Sequence, residues 1–364
     1  MSRAENLKVF NGKKLPYERA MDMKKISKIL LGITAAVTLV GSAVTVACIK
    51  SDNFFYKSKP YSHDEALTIT KKENEDFVIL QLADVQIGNE GNKYPETEQY
   101  EMIDDLINRS DPDFIVLTGD NALYDDLEKI ENFADFLNSY NIPFSFVFGN
   151  HENDIKPSLS EIASVFEKKE NCLFREGFKN VSGVGNYAVN VVENSDIKYS
   201  FYMFDSHNYG FYLPSDKQQT LGGTDWAYIK KSQIDWYERT VKGINAAAGH
   251  PVDSLAFFHI PLPEYRYFTP EQAIIGEQRE DICSPYKNTG LFAKMEELGS
   301  TKGVFVGHDH KNNFAFEYDS IVLAYGLKTG RTSYYDEDLQ GALVIRFDKD
   351  MKDFTIEHLY SKFN

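Results

Sequence analysis

Three short apolar runs, at residues 77–82, 114–117 and 144–148, are separated by two segments with helical spacing of apolar residues. That order constrains the fold more than any other feature of the chain. The first separating segment, residues 95–107, opens on Pro95 and puts Met102, Ile103, Leu106 and Ile107 on one side. Residues 127–137 repeat the pattern. Strand, helix, strand, helix, strand with crossovers of this length predicts parallel pairing. Farther along, residues 187–191 and 199–203 predict a hairpin, and 226–241 a helix. Residues 255–258, 304–306, 321–324, 342–345 and 354–356 read as further strands. Neither an internal repeat nor a low-complexity linker interrupts residues 76–364, which therefore read as one α/β domain.

What ends these strands is chemically informative. The first runs into Asp84-Val85-Gln86, the second into Gly119-Asp120-Asn121, and the third into Gly149-Asn150-His151-Glu152. The strand at 255–258 ends in His259, and that at 304–306 in Gly307-His308-Asp309-His310. Each motif alone has a bland explanation. Gly-Asp-Asn is more often a turn than a ligand, and one histidine after two phenylalanines is more often a satisfied core residue. His308 and His310 point the same way if the segment is extended. Together, five strand ends carry oxygen and imidazole donors, and four of the chain's eight histidines fall there. In a parallel α/β sheet, ligands bind beyond the carboxyl ends of the strands. Carboxylate, amide and imidazole donors with no neighbouring cysteine suit borderline divalent metals rather than a zinc–thiolate site. Two such ions bridged by a carboxylate acidify water and clamp an oxyanion at phosphorus.

In order and spacing, these motifs resemble those of the calcineurin-like metallophosphoesterases. The segments between them narrow the resemblance to the purple-acid-phosphatase-like branch. They include Gly185-Asn186-Tyr187, Trp226, Ser232-Gln233 with Trp236, and Phe258 through Tyr265. Cys283-Ser284-Pro285, Tyr325-Gly326 and Thr329-Gly330 complete the set. The resemblance implies a four-layer sandwich, two packed mixed β-sheets flanked by helices. It implies two divalent metal ions, with manganese, iron or zinc as candidates. Asp84, Gln86, Asp120 and His310 would hold one, and Asp120, Asn150, His259 and His308 the other. His151 would face the substrate as a proton donor. The implied reaction is hydrolysis of a phosphate ester, on a small molecule or a phosphoprotein, by metal-bound hydroxide. The chain departs from the superfamily in two places. Gln86 stands where most members have histidine, and an amide oxygen is a weaker ligand. Leu123 stands where true purple acid phosphatases have the tyrosine that binds ferric iron, so no purple charge-transfer colour is expected. The weaker first position keeps a second reading in view, a catalytically weak or inactive metal-containing surface protein that binds a phosphorylated ligand or partner.

Residues 29–49 carry no charge over 21 positions, enough as a helix for roughly 31 Å against a bilayer core of about 30 Å. Residues 1–28 are basic, with Lys24, Lys25 and Lys28 next to the run, so the remainder is expected outside the cytosol. The run reads as a retained membrane anchor; a signal peptide cut after Ala47 and lipidation of Cys48 also fit. The last two would give a secreted protein or a lipoprotein. Residues 50–75 read as a stalk. The chain's net charge is −16, yet its first 50 residues hold nine Lys/Arg against three Asp/Glu, and the rest 30 against 52. So acidic a body argues against general nucleic-acid binding. Outside the cytosol Cys172 and Cys283 would be free to pair, although two separate thiols suit the sequence equally.

Overall fold

The computed structural model describes residues 61–62, 65–88, 94–213 and 223–363. The basic segment and the uncharged run at 29–49 lie outside the described residues. No helix among the described residues is long and apolar enough to cross a membrane. The chain runs through β1 (Ala66–Thr70), β2 (Phe77–Leu82), α1 (Glu96–Ser110), β3 (Phe114–Thr118), α2 (Leu127–Asn138), β4 (Phe144–Val147) and α3 (Leu159–Phe166). It continues through β5 (Tyr187–Glu193), β6 (Asp196–Met203), α4 (Lys231–Ala248), β7 (Asp253–Phe257), β8 (Ala273–Ile275), α5 (Leu291–Leu298) and β9 (Thr301–Val306). It closes with β10 (Ala315–Tyr318), β11 (Ile321–Tyr325), β12 (Gly341–Phe347) and β13 (Phe354–Tyr360).

Two mixed sheets result. One has the order β13-β12-β2-β3-β4, the other β1-β5-β6-β7-β9-β11-β10-β8. As the apolar runs predict, β2, β3 and β4 pair in parallel, and every residue of the three is buried. β5 and β6 form the expected antiparallel hairpin. β6, β7, β9 and β11 pair in parallel, each with the next. The inner faces meet through aromatic rings. Phe201 of β6 stacks on Phe114 of β3, with centroids 5.6 Å apart, and meets Phe77 of β2 at 6.2 Å. Behind the larger sheet, Trp236 and Tyr237 of α4 pack edge-on against Phe204 and Tyr202. α1 lays Met102, Ile103 and Leu106 on the outer side of the smaller sheet.

Two expectations need correction. The stalk ends before Ala66, because residues 66–70 form β1 and pair in parallel with β5. Ala66 and Ile69 supply buried side chains to that edge, and the surrounding charges hid so short an alternation. The helix expected from Trp226 begins at Lys231 instead. Gln233 accepts the Lys230 backbone N–H at its start, and Gly249, left-handed at φ 78°, closes its end. The residues before it are extended and carry Trp226 to the sheet edge, where its ring meets His308 at 4.6 Å. Cys172 and Cys283 are both free thiols.

Candidate metal centre

The donors lie just past the carboxyl ends of five parallel strands drawn from both sheets. Asp84 follows β2, Asp120 follows β3, Asn150 and His151 follow β4, His259 follows β7, and His308 and His310 follow β9. Reaching a common point forces sharp turns. Asp84, Gln86, Asp120 and His308 all have positive φ, at 51°, 46°, 51° and 80°. Two glycines give the room. A Cβ at Gly119 would sit 2.6 Å from the His259 ring, and one at Gly149 would sit 2.2 Å from Asp120 Oδ1.

All eight predicted residues come together. One ligand atom each from Asp84, Asp120 and His259 lie within 4.8 Å of one another. His259 Nε2 is 2.9 Å from Asn150 Oδ1, 3.5 Å from Asp120 Oδ1 and 3.2 Å from His308 Nδ1. His310 Nε2 is 3.3 Å from Asp84 Oδ1, and Gln86 Nε2 is 3.1 Å from Asp120 Oδ2. His151 stands at the rim, its side chain 41% exposed, with Nε2 3.9 Å from Asp120 Oδ2. It borders an open cleft of about 700 Å³ that Tyr94, Tyr124, Lys129 and Asp154 also line. The other seven residues are buried.

The chemistry of this cluster calls for a cation. His259 Nδ1–H donates to the Thr118 carbonyl, which leaves Nε2 facing two oxygen acceptors, a place that only a proton or a metal ion satisfies. His310 Nδ1–H likewise donates to the Tyr334 carbonyl and turns Nε2 inward. Fixing the tautomer through the outer nitrogen is how metal-binding histidines are oriented. His308 Nε2 is buried with no hydrogen-bond partner, a cost that a metal ion at that atom would remove. Burial works against charge on His259, but the Asp120 and Asp84 carboxylates outweigh it and raise its pKa. Burial, with the charge of His259 beside it, holds His308 well below the usual imidazole range. Burial resists ionisation of Asp84 and Asp120 too. It is overcome at Asp84 by the His310 contact and the charge of His259, and at Asp120 by His259 and His151, so both carboxyls titrate low. Deprotonated carboxylates and a neutral imidazole are the forms that bind metal.

Three further residues shape the centre. Glu152, the last residue of the motif after β4, accepts backbone N–H groups from Gly149 at 2.9 Å, Asn121 at 2.6 Å and Asp120 at 3.2 Å. It ties the turn after β3 to the turn after β4. Burial and the Asp120 charge push its carboxyl up to about 7. Asp309, between the two histidines, accepts the Tyr325 hydroxyl at 2.6 Å, and burial pushes it to about 7 as well. Tyr325 was part of the motif set, so that pairing had a sequence signal. Lys328 had none. It is 2% exposed, and its Nζ donates to Gln86 Oε1 at 2.8 Å and to the Asp84 carbonyl at 3.0 Å. Burial lowers its pKa to about 8 against the pull of Asp84 and Asp120.

The sequence also matches known proteins. The calcineurin-like phosphoesterase family matches residues 77–312. A relative from Arabidopsis thaliana, "Probable inactive purple acid phosphatase 29", is 30% identical over 72% of this chain and 74% of its own length. "Phosphatase DCR2" from Saccharomyces cerevisiae is 31% identical over 69% of this chain, which spans about half of that protein, 47%. A solved dimetal phosphatase from Danio rerio is similar at 13% identity, over 78% of this chain and 99% of that one, with a TM-score of 0.46. The family match spans more than half the chain and contains every candidate ligand, so the chain belongs to the calcineurin-like phosphoesterase family, in its purple-acid-phosphatase-like branch.

Proposed function

We propose that this chain is a metal-dependent hydrolase of phosphate esters, with its centre built on Asp84, Asp120, Asn150, His259, His308 and His310. One observation carries the reading: these side chains converge from both sheets beside a half-exposed histidine that opens on a cleft. Asp120 lies beside His259 on one side and Gln86 on the other, so it would be the ligand shared by the two groups of donors. Divalent ions held there would supply Lewis acidity and acidify a water molecule. The protein's own part is positioning and proton transfer. Asp154 Oδ2 lies 2.6 Å from His151 Nδ1, so Nδ1–H is donated outward and the ring is held with Nε2 toward the centre. That nitrogen delivers a proton to the departing oxygen, a role suited to imidazole at neutral pH. The uncharged run at 29–49, with lysines before it, supports action outside the cytoplasmic membrane.

The test is metal-stripped full chain to which manganese, iron or zinc is restored singly, assayed on a nitrophenyl phosphate monoester and the corresponding diester. Metal-dependent turnover, lost in Asp120→Asn, is the expected result. Metal and phosphate binding without turnover on either ester would establish the alternative, a surface protein that binds a phosphorylated ligand. The Lys328–Gln86 contact favours that alternative, because it takes from the centre the amide oxygen of one expected ligand.

A further inference from the structure

Gln86 was expected to offer its amide oxygen to the first metal position, together with Asp84, Asp120 and His310. Its neighbours dictate another orientation. An ammonium has donors and no acceptor, so the amide atom 2.8 Å from Lys328 Nζ is the oxygen. An ionised carboxylate only accepts, so the atom 3.1 Å from Asp120 Oδ2 is the nitrogen. Both contacts require the same amide orientation, and flipping the group would lose both at once.

The lysine is fixed in turn. Its backbone bridges Ala83 on one side and Gln340 on the other. Thr329 N–H donates to the Ala83 carbonyl at 2.7 Å, and Gly341 N–H to the Lys328 carbonyl at 3.1 Å. The Gln86 carbonyl accepts from Thr332 Oγ1 at 3.1 Å. The ammonium is therefore built into the centre and is no surface group swung inward.

We propose that Lys328 makes the two halves of the centre unequal. The half formed by Asp120, Asn150, His259 and His308 holds a divalent ion tightly. The half formed by Asp84, Asp120 and His310 is one donor short, because Lys328 Nζ takes the Gln86 amide oxygen and stands 3.0 Å from the Asp84 carbonyl, so it holds its ion weakly. Gln86 is then a positioning residue, steadying Asp120 through its amide N–H, and Lys328 is the positioning residue that sets Gln86. The ammonium also offsets part of the negative charge that a second ion would otherwise neutralise. The inference rests on the metal-centre reading given above, without requiring turnover.

Titration of the metal-free full chain with manganese and with zinc tests it, by calorimetry and by measuring metal retained after gel filtration. The expected result is one tight equivalent and a second at least tenfold weaker. Lys328→Met should close that gap by about 10- to 100-fold, the range in which contacts behind the ligands change metal affinity. Two equivalents of equal affinity in the native chain, or an unchanged gap in a folded Lys328→Met, would overturn the proposal. If Lys328→Met does not fold, Asp84→Asn decides: loss of the weak step alone supports the proposal, and loss of the tight step overturns it. A chain that shows the two unequal steps yet hydrolyses no ester would refute the hydrolase reading and leave this inference standing.

Discussion

Gly149→Ala perturbs the centre without replacing a ligand. The glycine's φ lies outside the left-handed range, so alanine suits its backbone and the only cost is steric. The new methyl would sit 2.2 Å from Asp120 Oδ1 and 2.4 Å from the Asp120 backbone nitrogen, whereas ordinary contact begins at 3.4 Å. The turns after β3 and β4 must therefore separate by about 1 Å. The Glu152 brace resists that, since one carboxylate holds both turns. Overpacking of this kind costs about 1–3 kcal/mol, and a 1 Å misplacement at a reacting centre costs about 100-fold in rate. The assay is urea unfolding, metal titration and turnover of a nitrophenyl ester on the same preparations. Gly249→Ala is the control. Its φ of 78° strains any other residue and its Cβ would meet nothing within 4 Å, so it costs about 1–2 kcal/mol far from the centre. Gly149→Ala should lose metal affinity and turnover, and Gly249→Ala only stability. A folded Gly149→Ala with turnover within threefold of the native chain would refute the argument that close packing of the two turns sets Asp120. So would equal losses of activity in both variants.

Two further outcomes follow from particular contacts. His151→Ala should lower turnover by about 100- to 10,000-fold, the usual worth of a positioned proton donor, while leaving metal stoichiometry unchanged; loss of metal as well would make His151 a ligand. Glu264 is buried, donated to by Asn288 Nδ2 at one oxygen and unpartnered at the other, and burial raises its pKa above the ordinary 4.5. The folded chain then holds its proton at pH values where the unfolded chain has released it. This contribution to stability is complete below 4.5 and is lost as pH rises through the raised value. Urea melts from pH 4 to 8 should show a decline that Glu264→Gln makes shallower, the raised carboxyls of Glu152 and Asp309 supplying the remainder, and an equal decline in both would refute the assignment.

What was legible in the sequence was what local pattern encodes. β2, β3 and β4 are mostly apolar because both faces of each are covered, and the residues closing them are polar because they leave the sheet at its ligand-binding edge. The short edge strand β1 was hidden among charges. α3 was missed although Ser158 and Glu161 form a reciprocal capping box at its start, a signal the sequence did contain. The start of α4 was misplaced because Trp226 extends an apolar pattern while serving the centre. Lys328 was illegible in principle. Between Leu327 and Thr329 it looks like any solvated lysine, and its partners Asp84 and Gln86 stand more than 240 positions earlier. Only the packing of β2 against the segment after β11 gives it a role.

The left-handed turns explain why the centre and the joint between the sheets are one structure. An extended strand would send Asp84 and Gln86 onward along the sheet. At positive φ the chain doubles back over the edge, and donors from different strands can face one another. Aspartate visits this region readily; glutamine and histidine do so at about 1–2 kcal/mol each. Such strain persists only where surrounding bonds over-determine it, and here those bonds cross between motifs. The His308 N–H donates to Asp84 Oδ2 at 2.9 Å, the Gln86 N–H to the Asp120 carbonyl at 2.8 Å, and the His151 N–H to Asp120 Oδ1 at 2.9 Å. The first of these joins the ends of β2 and β9, one from each sheet. Gln81 makes a second joint between those strands below it, donating to the Val306 carbonyl at 3.0 Å. A substitution that relaxes one turn therefore removes a bond holding the next. Loss of metal affinity should accordingly spread from a single turn to ligands on the other sheet, rather than stay with the residue changed.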